Sequence, residues 1–341
     1  MILITGGTGL VGTHVLYDLV TAGKRVRALQ RKDSNTAAVL HLFSIYSTEA
    51  QRLFDTIEWV IGDIEDVASL EEAMTGVDQV YHCAAMISFH PKDREHMLRI
   101  NVEGTANVVN ACLEKKISKL CHVSSIATLG RNSTVDLVHE ETHWKTSPDN
   151  SYYAISKYGG EREVWRGAAE GLQVIVVNPS VIIGPGDWSK GSIAVFRLAY
   201  AGLKYYTSGQ TGFVDVRDVS RAMIVLMESD IQGERFLLNG GNLTFRTFFD
   251  LLHAEFGKAP AYLKVNPLMA ELGWRLEKLR ARLVGREPVI TKETARAANL
   301  TYSFSSEKIK KKLGFEFIPI EKSIQDICSI YKKEKASVLK S

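Results

Sequence analysis

Apolar and polar positions alternate in two rhythms along the chain. Short apolar runs at 2–5, Arg25–Leu29, Glu58–Gly62, Gln79–Ala85, Leu120–Val123 and Gln173–Val177 read as strands. Between them, His14–Ala22, 36–56, 66–75, 95–114 and the stretch from Ser151 read as helices. Strands alternating with helices predict an α/β fold around a doubly wound parallel sheet. Beyond residue 180 the character changes. Helical patterns at 191–203, 246–257 and 267–283 are interrupted by short strands near 213–216 and 235–239, predicting a smaller, mostly helical C-terminal lobe. We therefore expect residues 1–180 to form the sheet domain, with 210–235 returning to it. Residues 181–209 and 236–335 form the small lobe, and 336–341 a frayed tail, with fraying expected from Lys332 onward. Asp218 is expected to cap a helix running through Met227. The apolar face of 267–283 (Leu268, Met269, Leu272, Trp274, Leu276, Leu279) is expected to pack into a core, and Lys308–Lys312 to form a solvated face.

Length and charge narrow the class without naming it. At 341 residues the chain has room for a substantial core in two lobes. Its 42 Lys+Arg against 39 Asp+Glu leave +3, too balanced to argue for a nucleic-acid or acidic-membrane partner. Cys83, Cys112, Cys121 and Cys328 are scattered without a CxxC spacing, and three of them fall in apolar segments where reduced, buried thiols are expected. Met1 runs directly into an apolar strand, and no uninterrupted apolar run reaches the ~18 residues a membrane span needs. A cytoplasmic, soluble protein is the expectation.

The candidate chemistry sits at the ends of the predicted strands. After the first strand comes Thr5-Gly6-Gly7-Thr8-Gly9-Leu10-Val11-Gly12, a GxxGxxG turn leading into a helix. Glycines let a pyrophosphate approach the backbone N–H groups at a helix N-terminus; alone the triplet could be a tight turn, but its place right after an apolar strand makes a Rossmann-type dinucleotide site the expectation. The second strand leads to Gln30-Arg31-Lys32. An acidic residue there would select NAD, whereas Arg31 and Lys32 favour the 2′-phosphate of NADP, with NAD the alternative. Asp63, at the third strand end, is placed to accept from an adenine amino group or, equally, to cap the helix expected over 66–75. Cys83, Ala84 and Ala85 are small enough for a ribose or nicotinamide to lie against the backbone. The loop Met86–Arg94 is a candidate for substrate contacts. Ser124 and Ser125 close the fifth strand, where ligands of open α/β sheets bind. His139-Glu140-Glu141-Thr142-His143 matches HExxH, but a zinc site needs a helix there, and the flanking Asn132-Ser133-Thr134 and Thr146–Asn150 argue for a loop, so no metal is expected.

The most informative stretch is Ser151–Lys157. If helical, it sets the Tyr153 phenol and the Lys157 ammonium one turn apart on one face. A phenol titrates near ~10, and a neighbouring cation lowers that value, so the pair can make an acid.

In this order and spacing, Gly6-x-x-Gly9-x-x-Gly12, Asp63, Ser124-Ser125, Tyr153-x-x-x-Lys157, Asn178-Pro179 and Gly184-Pro185-Gly186 resemble the extended short-chain dehydrogenase/reductases. The likeness covers essentially the whole chain, to Phe304–Lys308 and Leu313-Gly314-Phe315. Val26–Arg31, Asn101–Val109 and His122–Ala127 most resemble the dihydroflavonol-reductase-like and 3β-hydroxysteroid-dehydrogenase-like reductases. The resemblance implies Ser125 rather than Ser124 as catalytic serine, Tyr153 as acid/base and Lys157 as its partner. It implies Leu10 and Val11 along the pyrophosphate, Asp63 and Ile64 at the adenine, Cys83–Ala85 at the ribose, and Pro179 and Ser180 at the nicotinamide edge. A homodimer is the default expectation on the same ground. Gln30 departs from the aliphatic residue expected before Arg31.

Together these imply reduction of a ketone or aldehyde by hydride transfer from NADPH, with Tyr153 giving the proton. Met86, Ile87, Phe89, Trp188 and Tyr205 suggest a hydrophobic substrate. One alternative is a nucleotide-sugar epimerase or dehydratase that retains NAD, with Arg275, Arg280 and Arg282 gripping a diphosphate. Another is a non-catalytic NADP sensor, which would have no need of all three of serine, tyrosine and lysine.

Overall fold

The computed structural model describes residues 1–130, 137–189, 191–284 and 298–338. Seven parallel strands form the main sheet: β1 (Ile2–Thr5), β2 (Val26–Gln30), β3 (Glu58–Ile61), β4 (Gln79–His82), β5 (Lys119–Val123), β6 (Val174–Pro179) and, after an excursion into the small lobe, Glu234–Leu238. Their spatial order is β3-β2-β1-β4-β5-β6 followed by Glu234–Leu238. The chain reverses direction across the sheet between β1 and β4, which opens a crevice at their carboxyl ends.

Strand alternation builds two cores from one sheet. Along β1, Leu3 points into a cluster with Val80, Leu120, Val174 and Val176, while Ile4 points into the opposite cluster with Ala28, Tyr81, Cys121 and Ile175. Helix α1 (Leu10–Thr21) and the helix Val216–Glu228 pack together over the second face. Helix α2 (Thr36–Tyr46) and α3 (Ala50–Asp55) extend that layer; the expected single helix over 36–56 breaks where the chain turns at 47–49. The first face is covered by α4 (Val67–Ala73), α5 (Arg94–Leu98), α6 (Gly104–Glu114) and α7 (Tyr152–Ala169). A π turn, Arg99–Glu103, joins α5 to α6 inside the expected 95–114 helix.

The small lobe continues with β7 (Val181–Ile183), β8 (Tyr205–Tyr206) and β9 (Gln210–Asp215): β9 lies between β7 and Gly241–Thr244 in one sheet, while β8 pairs with Leu263–Lys264 in another. Phe196, Phe213, Phe248 and Tyr331 centre its core. A boundary at 235/236 would cut the last strand of the main sheet, since all of Glu234–Leu238 pairs with β6.

Three expectations fail here. Asp215, not Asp218, caps the helix Val216–Glu228, accepting from the Arg217 N–H at 2.8 Å. Asp218 lies one turn in, buried, and accepts from Ile318 N and Arg221. The segment 332–338 is not frayed: the helix Ile320–Val338 carries it, and Glu334 binds His41 at 2.8 Å and the Trp188 indole. Finally, helix Pro267–Val284 turns Leu268 (79% exposed), Leu272 (61%) and Leu276 (60%) outward, so that face joins no core among the described residues. Leu279 and Arg282 carry side chains outside the described set. Among the described residues no helix is long and apolar enough to cross a membrane.

Candidate active site

Backbone geometry builds the dinucleotide cradle. Gly6 has φ +70°, a conformation that favours glycine, and a Cβ there would stand 2.5 Å from Ala84 N. The ends of β1 and β4 therefore touch through a position that has no room for a side chain. A Cβ on Gly12 would meet Gly6 O at 2.2 Å, so the turn also closes on itself. Gly9 stands at the N-cap of α1 with no side chain of its own to cap it. The N–H groups of Leu10 and Val11, at the first two helical positions, point outward, as helix N-termini do, where they suit an anion. Thr8 lies half-buried in the same turn. Leu10's side chain packs toward Gly184 and Gly186 of the small lobe. Ser180, buried at the end of β6 beside Pro179, has an Oγ without a hydrogen-bond partner among the described residues. The cradle and this orphaned hydroxyl fit a dinucleotide with a polar amide at its far end.

The remaining predicted contacts are placed as follows. Arg31 stands just past β2, exposed, with its guanidinium 3.6 Å from Asp33. Asp63 spends Oδ1 on the N–H of Glu65, and Asp66, rather than Asp63, caps α4. Ile64's side chain is buried against Gly104, and Asn107 donates to its carbonyl. Cys83, Ala84 and Ala85 follow β4 directly. Burial pushes the Cys83 thiol up to about 12, offset in part by Lys157.

Helix α7 carries the chemistry. Ser151 caps it, its side chain accepting from Ala154 N at 2.9 Å. Its close fit comes from Gly160, where a Cβ would meet Asn101 O at 2.2 Å. The π turn aims Asn101 inward, so that it accepts from Met86 N and donates to Met86 O and to Ser156 Oγ. The 86–94 loop is thereby tied to α7, and Arg94 reinforces the tie by lying 4.5 Å over the Tyr152 ring.

Tyr153 and Lys157 fall one turn apart on this helix. The Phe89 ring stands edge-on to Tyr153, with centroids 5.7 Å apart. Lys157 is buried, and its Nζ donates to Val123 O, 2.8 Å away, at the carboxyl end of β5. Burial pushes the ammonium down from 10.5 to about 8, while Glu161 and Cys83 pull it back up. Two residues beyond Val123, Ser125 is half-buried and opens a 3₁₀ turn, Oγ accepting from Ala127 N at 3.1 Å. Ser124 is spent elsewhere: its Oγ donates to Glu161 at 2.5 Å. Below lie two buried histidines with rings 5.0 Å apart. His82 is held between Thr5 and Thr105, and burial with Lys157 nearby lowers it to about 3.

Other expected groups do not gather here. Trp188 packs in the small-lobe core, edge-on to Tyr331, and Tyr205 lies on the short strand paired with Leu263. The HExxH segment is a turn. His139 Nδ1 accepts from Glu141 N, and Glu140 is buried, accepting from Leu237 N, so no helix presents both histidines. Among the described residues, no cluster of three or more His, Cys, Asp or Glu side chains could hold a metal. Two roles escaped the sequence reading, which named Asn178 only within the Asn178-Pro179 motif and did not name Glu161. Asn178 donates to Ser125 O, Thr128 and Glu161, and Glu161 extends the Tyr153, Lys157 stripe by one further turn. The 153, 157, 161 spacing was the available signal.

Residues 2–238 match the family model of the NAD dependent epimerase/dehydratase family. The chain belongs to that family. It is thus an enzyme for which an NAD(P) cofactor is implied. A putative dihydroflavonol 4-reductase of Synechocystis is 29% identical over 333 residues, covering 95% of this chain and 92% of its own. Sterol demethylase protein B of Methylococcus capsulatus is 28% identical over 318 residues, covering 92% of each. The crystal structure of gox2253 superposes with a TM-score of 0.79 at 29% identity, covering 98% of both chains. The chain is therefore similar over nearly its full length to a protein named as a putative reductase, and its family model covers residues 2–238.

Proposed function

We propose that this enzyme reduces a carbonyl group of a hydrophobic small molecule to an alcohol, using NADPH. The observation that carries the reading is the Lys157 ammonium fixed at Val123 O, one turn from Tyr153 and two residues before Ser125. When bound, the nicotinamide supplies the hydride. Tyr153 gives its proton to the carbonyl oxygen as negative charge develops there, and Ser125 Oγ donates a hydrogen bond to the same oxygen. Lys157 holds a positive charge beside the phenol and so favours its release of the proton. Ser125 suits this role better than Ser124, whose hydroxyl is committed to Glu161. Phe89, beside Tyr153, supplies an aromatic wall for the substrate, and one relative is named a putative dihydroflavonol 4-reductase.

NADP is favoured over NAD by Arg31, exposed at the end of β2 with only a loose pairing to Asp33. The NAD-retaining epimerase alternative needs basic residues free to grip a diphosphate. Arg275 and Arg280 instead pair with Glu271 and Glu277 on their own helix. The test is to assay purified protein for retained NAD, and for oxidation of added NADPH across a panel of aromatic and aliphatic aldehydes and ketones. Consumption of NADPH with alcohol formation is expected. Stoichiometric bound NAD with no net NADPH consumption would transfer the enzyme to the epimerase class.

A further inference from the structure

Glu161 is a buried carboxylate surrounded by donors. One oxygen accepts from Ser124 Oγ at 2.5 Å, Thr128 Oγ1 at 2.7 Å and Asn178 Nδ2 at 2.9 Å. The other accepts from Trp165 Nε1 at 3.1 Å and Arg235 Nη1 at 3.2 Å. Two of those donors reach further. Thr128 Oγ1 also lies 2.9 Å from Ser125 O, so its one proton is shared between that carbonyl and Glu161, and Asn178 Nδ2 approaches the same carbonyl at 3.2 Å. The carboxylate thus fixes the backbone that presents the Ser125 hydroxyl. Glu161 also lies one turn past Lys157 on the same face of α7, where side chains four apart are neighbours.

We propose that Glu161 is a positioning residue for the reduction: it locks the Ser125 turn through Thr128 and Asn178, and it is the buried counter-charge that keeps Lys157 protonated. This rests on the assignment of Ser125, Tyr153 and Lys157 above. The other groups around Lys157 do not supply a counter-charge. Burial keeps His82 and His122 uncharged, and the Cys83 thiol, itself held neutral by burial, raises Lys157 less than Glu161 does. Facing Glu161 from the last main-sheet strand is Arg235, one-fifth exposed, with Lys308 and Glu234 flanking it in a groove behind α7. Arg235 pairs with one Glu161 oxygen at 3.2 Å, while Lys157, whose Nζ bonds Val123 O, feels that carboxylate from one helical turn away. Removing the negative or the positive member of the Glu161–Arg235 pair gives the proposal opposite signs for two substitutions.

The test follows Lys157 directly, by NMR of protein carrying ¹³C at lysine Cε, with the Lys157 resonance assigned from Lys157→Met. The parent should titrate near pH 8. Glu161→Gln keeps the shape but removes the charge and at least two acceptor sites, and should lower the midpoint by about one unit or more. Arg235→Gln, which removes the competing positive charge, should raise it. Unmoved midpoints in both variants, or shifts of the opposite sign, would overturn the proposal. Should Glu161→Gln fail to fold, Arg235→Gln decides alone. In turnover assays with NADPH and the carbonyl panel, the parent-to-Glu161→Gln ratio of kcat should grow about tenfold from pH 6 to pH 9. A loss constant across pH would mark Glu161 as merely structural and overturn it. The NMR midpoints stand whether or not a substrate is found, which separates failure of this inference from failure of the reductase assignment.

Discussion

Helices α7 and Pro267–Val284 are each 18 residues long, and they invert the simplest rule about what is buried. The first carries Ser156, Lys157 and Glu161 into the interior; the second leaves Leu268, Leu272 and Leu276 in solvent. Burial follows the partner surface, and periodicity alone does not provide one. On α7 the partners are the carboxyl ends of β5 and β6 and the π turn, and each buried polar group finds an acceptor or donor there. On the later helix the polar groups form ion pairs along the helix itself, Arg275 with Glu271 and Arg280 with Glu277, exposed pairs worth at most about 1 kcal/mol each. An apolar stripe therefore marks a face that can be covered, while a polar stripe next to strand ends marks one that has been.

The contrast can be pressed hardest at Lys157. Its folded pKa of about 8 lies below the ordinary 10.5, so the native state binds fewer protons between those values. Stability should rise with pH from 8 to 10.5, and below pH 8 the buried charge costs roughly 3 kcal/mol, before the hydrogen bond to Val123 is counted. Lys157→Met should thus lose activity yet melt higher than the parent at pH 7, with the difference shrinking by pH 10.5. Thermal melts across that range check it; a variant less stable at pH 7 would mean that the hydrogen bond outweighs burial. Smaller in effect, Val164→Ala on the buried side of α7 should cost about 2 kcal/mol in urea unfolding. Smallest of all, Leu272→Ser and Leu276→Ser should each stay within about 0.5 kcal/mol. A loss comparable to that of Val164→Ala would show that the exposed face is covered in solution.

The sheet was legible because its strands are short apolar runs between turns, and its site because glycine spacing and the Tyr153, Lys157 pair are local. What escaped depended on contacts distant in sequence. Asp215 and Asp218 are equally good caps by sequence, and only the buried place of Asp218 beside Ile318 separates them. Trp188 and Tyr205 are apolar residues near a predicted site, but the first is drawn into the small-lobe core by Tyr331 and Glu334. The π turn leaves no compositional mark, although it aims Asn101 at Ser156. Glu161 was hidden because a charge on a helix is ordinarily solvated, and its five donors come from four separate stretches of chain.

Tyr153→Phe tests the central claim most directly, because it removes one hydroxyl and leaves the ring beside Phe89. With NADPH binding followed by fluorescence and turnover by NADPH oxidation, the variant should bind cofactor as the parent does and lose about 10²–10⁴-fold in kcat. Turnover at the parental rate would contradict the assignment of Tyr153 as the proton donor.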